Sequence, residues 1–297
     1  MKKIIKMDKI LCTALTTILV LGNYAGTTVY AASDDARTEK MQSNDASDTP
    51  PTAPDLTDEE LAAYYGDSIF IGDSIMSGFR NYSAKQESFV SDIQFLAVGS
   101  YSAFNAMKPV TEDNVHPIYR GKKCQVWNAI PLMGGRRVFI LLGMNDISIL
   151  GLEGARDQYK ELICKILETS PDLEIHIISV TYTLKDQGIG KLNNENIAKY
   201  NVLLQEMAEE NNWGYIDLCT PISDGEGNLA EESCSDNFVH LSPAAYTQWE
   251  AELIDYANAR VNANGEPDDE AINETKTKYE SILETPASNT IQGRKKS

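Results

Sequence analysis

Five short apolar runs recur through the middle of the chain: SIFIG (68–72), IQFLAVG (93–99), RVFILLG (137–143), EIHIISVT (174–181) and GYIDLC (214–219). Each is nearly continuous rather than alternating, and each is rich in β-formers. That pattern predicts strands covered on both faces. Between the runs, apolar positions switch to helical spacing. GARDQYKELICKILETS sets Tyr159, Leu162, Ile163, Ile166 and Leu167 on one face. NENIAKYNVLLQEMAEENN does the same with Ile197, Tyr200, Leu204 and Met207, and SPAAYTQWEAELIDYANARV closes the series. Strands alternating with helices of this length predict an α/β fold, a parallel sheet with helices on both faces. In such sheets ligands bind outside the carboxyl ends of the strands.

The two ends of the chain lack this pattern. MKKIIKMDK is basic, ILCTALTTILVLG is a short apolar run and TTVYAAS supplies small residues near Ala31 and Ala32. Residues 1–31 therefore read as a secretory signal peptide. The run is short of the ~20 apolar residues that a spanning helix needs, so the expected product is exported, without stable membrane insertion after cleavage. Residues 32–55 hold almost no large apolar residue and read as a disordered linker. Residues 261–297 are polar and read as a disordered tail, which leaves one folded domain over 56–260.

Charge narrows the partners. The net charge is −18, and the leader carries four lysines and one aspartate, so its loss gives −18 − 3 = −21. So acidic a chain has no bulk attraction for nucleic acid or anionic lipid. Of five cysteines, four lie beyond the leader: Cys124, Cys164, Cys219 and Cys234. They allow three pairings. They are expected as buried thiols, with Cys219 and Cys234 the pair to examine.

Candidate chemistry begins with a repeat. GDSIFIGDSI contains Gly-Asp-Ser twice, ending at Ser68 and Ser74. Thr57 and Glu60 form a capping-box pattern before LAAYYG, which predicts a short helix ending at Gly66. Ser68 then opens the first strand, at the amino end of the sheet. Ser74 follows that strand and precedes a helix, where a hydroxyl is exposed and backbone N–H groups face a developing oxyanion. A helix N-cap is the plainer role for Ser74.

A serine nucleophile needs a base, and the base an orienting acid. The chain has three histidines. His176 lies within a strand run and reads as a core or sheet-edge residue. His116 lies in a polar loop without an apolar frame. His240 lies in CSDNFVHLSPAAY, four residues after Asp236 and just before the last helix. Asn145, in LLGMNDIS, follows the central strand and offers an amide over the same rim, with a turn or cap role as the alternative.

FIGDSIMSG, AVGSYS, LLGMND and DNFVHLS, in that order over residues 69–242, resemble the sequence blocks of the SGNH (GDSL) hydrolases. The resemblance implies a flavodoxin-like, five-stranded three-layer α/β/α sandwich that hydrolyses esters, including acetyl esters of carbohydrates, lysophospholipids and aryl esters. It implies Ser74 as nucleophile and His240 as base. The oxyanion hole would be the backbone N–H groups of Ser74 and Gly99 with the Asn145 amide. It implies no metal or organic cofactor, and a small-molecule or glycan ester as the partner of a monomer. One position departs from the pattern. The usual acid stands three residues before the histidine, and that position is Asn237. Either Asp236 serves after a one-residue loop change, or a Ser-His dyad leans on a backbone carbonyl. Asp236 is the acid assigned here.

Overall fold

The computed structural model describes residues 55–264. The leader, the linker up to residue 54 and the tail beyond 264 lie outside the described residues. Five strands, β1 (Ser68–Gly72), β2 (Gln94–Ala97), β3 (Arg137–Leu141), β4 (Glu174–Ile178) and β5 (Gly214–Ile216), form one parallel sheet in the order β2-β1-β3-β4-β5. Every apolar run is a strand. β1 and β3, in the middle, are buried at every position, whereas the edge strand β2 is half-buried at Gln94 and Phe95.

Among the described residues, seven helices accompany the sheet: α1 (Asp58–Gly66), α2 (Ser74–Ser83), α3 (Ala103–Ala106), α4 (Val126–Met133), α5 (Met144–Thr169), α6 (Asn194–Asn211) and α7 (Pro243–Asn264). α1 and α2 pack with α7, while α3, α4 and α6 pack with α5. The result is the three-layer α/β/α arrangement, with the strand order of the flavodoxin-like folds. The predicted faces of α5 and α6 are the buried ones, except that Leu167 is half-buried.

Thr57 and Glu60 form the capping box of α1. Gly66 closes that helix without a left-handed turn, and Asp67, at φ −85°, is the C-cap instead. α4 was not legible, because Pro131 stands inside it and proline removes a helical donor. α5 is broken at Gly151, whose φ is 74°. Cys124, Cys219 and Cys234 are unbridged thiols; Cys219 is buried, whereas Cys124, Cys164 and Cys234 are half-buried. His176 is a core residue, stacked on Phe139 with centroids 4.3 Å apart, and burial pushes its pKa down to about 4. His116 differs from its sequence reading. It is 1% exposed, with its ring 6.4 Å from that of the buried Tyr101. Residues 109–113 of its loop are exposed, and the chain turns inward at His116 and Pro117.

In the order β2-β1-β3 the direction in which strands are added across the sheet reverses at β1. Segments leaving β1 and β3 diverge to opposite faces there, and a crevice opens at their carboxyl ends. Ser74 follows β1, Gly99 follows β2, Asn145 follows β3, and the loop carrying Asp236 and His240 follows β5.

Candidate active site

The strand-to-helix turn after β1 is built by Gly72 and Asp73. A Cβ on Gly72 would lie 2.5 Å from the Met76 Cβ and 2.9 Å from the Leu141 carbonyl oxygen, so only glycine permits so tight a return. Asp73 is the N-cap of α2, and its Oδ1 accepts the Ile75 N–H at 2.9 Å. The capping role therefore belongs to Asp73. Ser74 is the first residue of α2, half-buried, and its own N–H is one of those an α-helix leaves without an internal acceptor. Ser68 is fully buried at the other end of β1 and donates to the Tyr64 carbonyl at 2.9 Å.

His240 Nε2 lies 3.0 Å from Ser74 Oγ, across 166 residues of chain. On its other side, Nδ1 makes a short hydrogen bond with Asp236 Oδ2. The loop holding both is closed on itself. Cys234 bridges Leu241, Ser235 N–H donates to the His240 carbonyl at 2.8 Å, and Ser242 N–H donates to the Ser233 carbonyl at 2.8 Å. Asp236 Oδ1 accepts the N–H groups of Phe238 (2.9 Å), Val239 (3.0 Å) and His240 (3.1 Å). Burial raises the pKa of Asp236, but hydrogen bonds from the His240 ring and these N–H groups outweigh it and hold the carboxyl at about 2. The carboxylate is therefore ionised at neutral pH.

Asn237 explains the spacing. Its φ is 63°, a left-handed conformation that asparagine tolerates better than most residues. That single turn shifts Asp236 onto the imidazole and leaves Asn237 exposed.

Asn145 is the second residue of α5, after Gly143 at φ 138°. A Cβ on Gly143 would collide with the Tyr200 ring. The Asn145 Nδ2 donates to Asp73 Oδ2 at 2.9 Å and reaches the Tyr101 carbonyl at 3.2 Å. Gly99 makes no hydrogen bond with the other candidate residues. It is exposed, and nothing lies within 4 Å of where its Cβ would be. Its loop is tied to the site at one remove, since Val98 N–H donates to the Gly72 carbonyl at 3.2 Å.

Two residues that matter here were not singled out in the sequence. Asp146 is fully buried and accepts the N–H groups of Ala103 (3.1 Å) and Phe104 (2.9 Å), pinning the Gly99–Phe104 loop to the start of α5. Asp73 is also fully buried. Burial, with Asp146 nearby adding to it, outweighs the lowering effects of the Ile75 hydrogen bond and the His240 charge and raises its pKa to about 7. The motifs themselves, Gly-Asp-Ser and Asn-Asp, were the signal for both.

A serine, an imidazole and a carboxylate in hydrogen-bonded series, on the carboxyl rim of a three-layer parallel sheet, define the frame of a serine hydrolase. The chain belongs to the GDSL-like Lipase/Acylhydrolase family, whose profile matches residues 70–248, and it is a carboxylic ester hydrolase. Several solved structures are similar to it. A GDSL-like lipase from Bacteroides thetaiotaomicron is 15% identical, with 65% of this chain and 88% of that one covered and a TM-score of 0.47. A lipase/acylhydrolase from Enterococcus faecalis is 16% identical, with coverages of 65% and 96% and a TM-score of 0.45. A catalytic mutant of an acetylxylan esterase from Geobacillus stearothermophilus is 14% identical, with coverages of 63% and 92% and a TM-score of 0.44. No curated protein matches the chain.

Proposed function

We propose that the protein is an exported, monomeric serine esterase that removes acyl groups, acetyl foremost, from carbohydrate or cell-wall glycan. The observation that carries the chemistry is the continuous contact Ser74–His240–Asp236. In this reading Ser74 Oγ attacks the ester carbonyl carbon while His240 Nε2 takes its proton. Asp236 holds the imidazole with Nδ1 protonated, so that Nε2 is free to accept. The negative oxygen of the tetrahedral intermediate is met by the N–H groups of Ser74 and Gly99 and by the Asn145 amide. Collapse returns the proton from His240 to the departing sugar hydroxyl and leaves an acyl-serine. Water, activated by the same imidazole, then releases the acid.

The preference for a short acyl group rests on the rim. Of the apolar side chains around the site, Ile75, Met76, Phe79, Tyr101 and Met144 are buried in the core, and only Phe104 and Phe238 are half-buried at the surface. Two rings do not line a groove for a long acyl chain. Export rests on the composition of residues 1–31, and the glycan on export. The alternative is a catalytically decayed glycan-binding module, which Asn237 at the family acid's usual position would suit; the Asp236–His240 contact favours the esterase.

Purified protein should hydrolyse p-nitrophenyl acetate faster than longer-chain esters. It should release acetate from acetylated xylan or peptidoglycan but no fatty acid from lysophospholipid. A Ser74→Ala variant that keeps full activity would refute the mechanism. Release of fatty acid in preference to acetate would refute the substrate class alone.

A further inference from the structure

We propose that a cleft at the β5 edge of the sheet is a glycan subsite: it holds a neutral, hydroxyl-rich sugar of the substrate chain while Ser74 works on an ester further along. The site depends on the glycan reading above and adds to it where the chain lies. The cleft measures about 440 Å³, within the range of small-ligand sites. Three segments wall it. Tyr182 comes from the loop after β4, Val202 and Gln205 from α6, and Tyr215, Asp217 and Thr220 from the end of β5. The first and last of these leave carboxyl ends of strands, as the segments carrying the Ser-His-Asp residues do. The connection that begins at Asp217 runs on to Asp236 and His240, so cleft and base lie on one stretch of chain. From β1 to β5 is three strand spacings, about 14 Å. An acetyl group cannot span that distance, and an oligosaccharide can.

The lining selects its ligand by chemistry. Tyr182 and Tyr215 are half-buried, so each offers an apolar ring and a wet hydroxyl. Burial, followed by the neighbouring Cys219 and Asp217, raises the pKa of both phenols, which therefore stay protonated and able to donate. Val202, 55% exposed, adds an apolar wall. Partial burial raises the pKa of Asp217, but hydrogen bonds from Thr220, Ser179 and the Cys219 N–H outweigh it and lower the pKa, leaving an ionised carboxylate at neutral pH. Its Oδ1 takes the Ser179 hydroxyl (2.9 Å) and the N–H groups of Cys219 (2.9 Å) and Thr220 (3.1 Å). Its Oδ2 takes the Thr220 hydroxyl at 2.5 Å and keeps capacity for a second donor. No lysine or arginine of the described residues forms an ion pair with it. A carboxylate without a cation repels an anionic sugar and accepts the hydroxyls of a neutral one. A pyranose matches the rest of the lining, with C–H groups on its faces for the rings and hydroxyls around its edge for the phenols and the Gln205 amide.

The test follows deacetylation of acetylated xylo-oligosaccharides of increasing length, with p-nitrophenyl acetate as the reference ester in each preparation. In the wild type kcat/KM should rise with length until the chain covers both sites. Val202→Arg fills the cleft from an exposed helix position that arginine suits, and should flatten that rise. Tyr182→Ala should lower kcat/KM on the longest oligosaccharide, relative to the reference ester, by roughly three- to tenfold, the size of one lost hydrogen bond. The loss should fall on KM rather than kcat. A wild-type kcat/KM independent of length, or a rise retained in Val202→Arg, would overturn the subsite and leave the esterase chemistry of Ser74 standing. A preference for uronate-bearing oligosaccharides over neutral ones would overturn the ligand class assigned to it. If p-nitrophenyl acetate is hydrolysed and no acetylated oligosaccharide is, the glycan reading itself fails, and the subsite falls with it.

Discussion

Asp73→Asn should make the protein more stable in mild alkali and less stable in mild acid. The buried carboxyl has a pKa raised from its ordinary 3.8 to about 7, chiefly by burial. In the unfolded chain it loses its proton by about pH 5, whereas in the folded chain it keeps it to about pH 7. Between those values the folded state binds more protons, so stability falls as pH rises. At about 1.4 kcal/mol per pKa unit, the shift corresponds to a penalty on the order of 4 kcal/mol, complete above pH 7 and absent below pH 4. Asparagine has no charge to desolvate. It gives up the hydrogen bond to Asn145, worth about 1–2 kcal/mol. The variant should therefore gain on the order of 2–3 kcal/mol at pH 8 and lose about 1 kcal/mol near pH 4.5. Urea unfolding of both proteins at several pH values reads this directly, as two stability curves that cross. Parallel curves between pH 5 and 8 would show that Asp73 is ionised in the folded protein at both ends, and the reasoning would fail. Crossing curves combined with a slower variant would place stability and catalysis in opposition at one carboxylate.

Three further outcomes follow from the geometry. Ser74→Ala should abolish fluorophosphonate labelling and esterase activity. Ser68→Ala, at the far end of a strand about 17 Å long, should leave kcat unchanged, and labelling of Ser68 would refute the strand assignment. Asp236→Asn keeps an oxygen for the three backbone N–H groups but favours the wrong imidazole tautomer, and should lower kcat by about 10⁴-fold. Asn237→Gly keeps the left-handed turn and should stay within about threefold of wild type; equal losses in these two variants would refute the acid assignment. Gly72→Ala forces a Cβ to 2.5 Å from the Met76 Cβ and should cost about 3 kcal/mol or more in urea unfolding, and a cost under 1 kcal/mol would show that α2 moves freely relative to β1.

The sheet was legible because buried parallel strands must be apolar on both faces, and 68–72 and 137–143 carry that demand as unbroken runs. The helices after β3 and β4 were legible from Tyr159 to Ile166 and from Ile197 to Met207 by their spacing alone. α4 was not, since Pro131 reads as a stop and its packing against α5 is a tertiary fact. At the site, Ser74 and Ser68 could be told apart because strand direction separates them. The contact of Asp236 with His240 could be suggested but not resolved, because it depends on a left-handed Asn237 that no periodicity reveals. His116 was misread for the opposite reason. The stretch before it, Thr111–Asn114, is polar and hides that the chain turns inward at Val115, and the Tyr101 ring beside it comes from another loop.

The 166 residues between Ser74 and His240 have a consequence for the time course of folding. Contacts made across so long a stretch form late, after local helices and neighbouring strands, because the closure entropy must be met first. The base and its acid also lie on the loop after the last strand, so a chain lacking only that loop and α7 would keep all five strands and have no imidazole at Ser74. Helical signal should therefore return early in refolding, and esterase activity only at the end. Turnover of a chromogenic ester then becomes a clock for the final docking step.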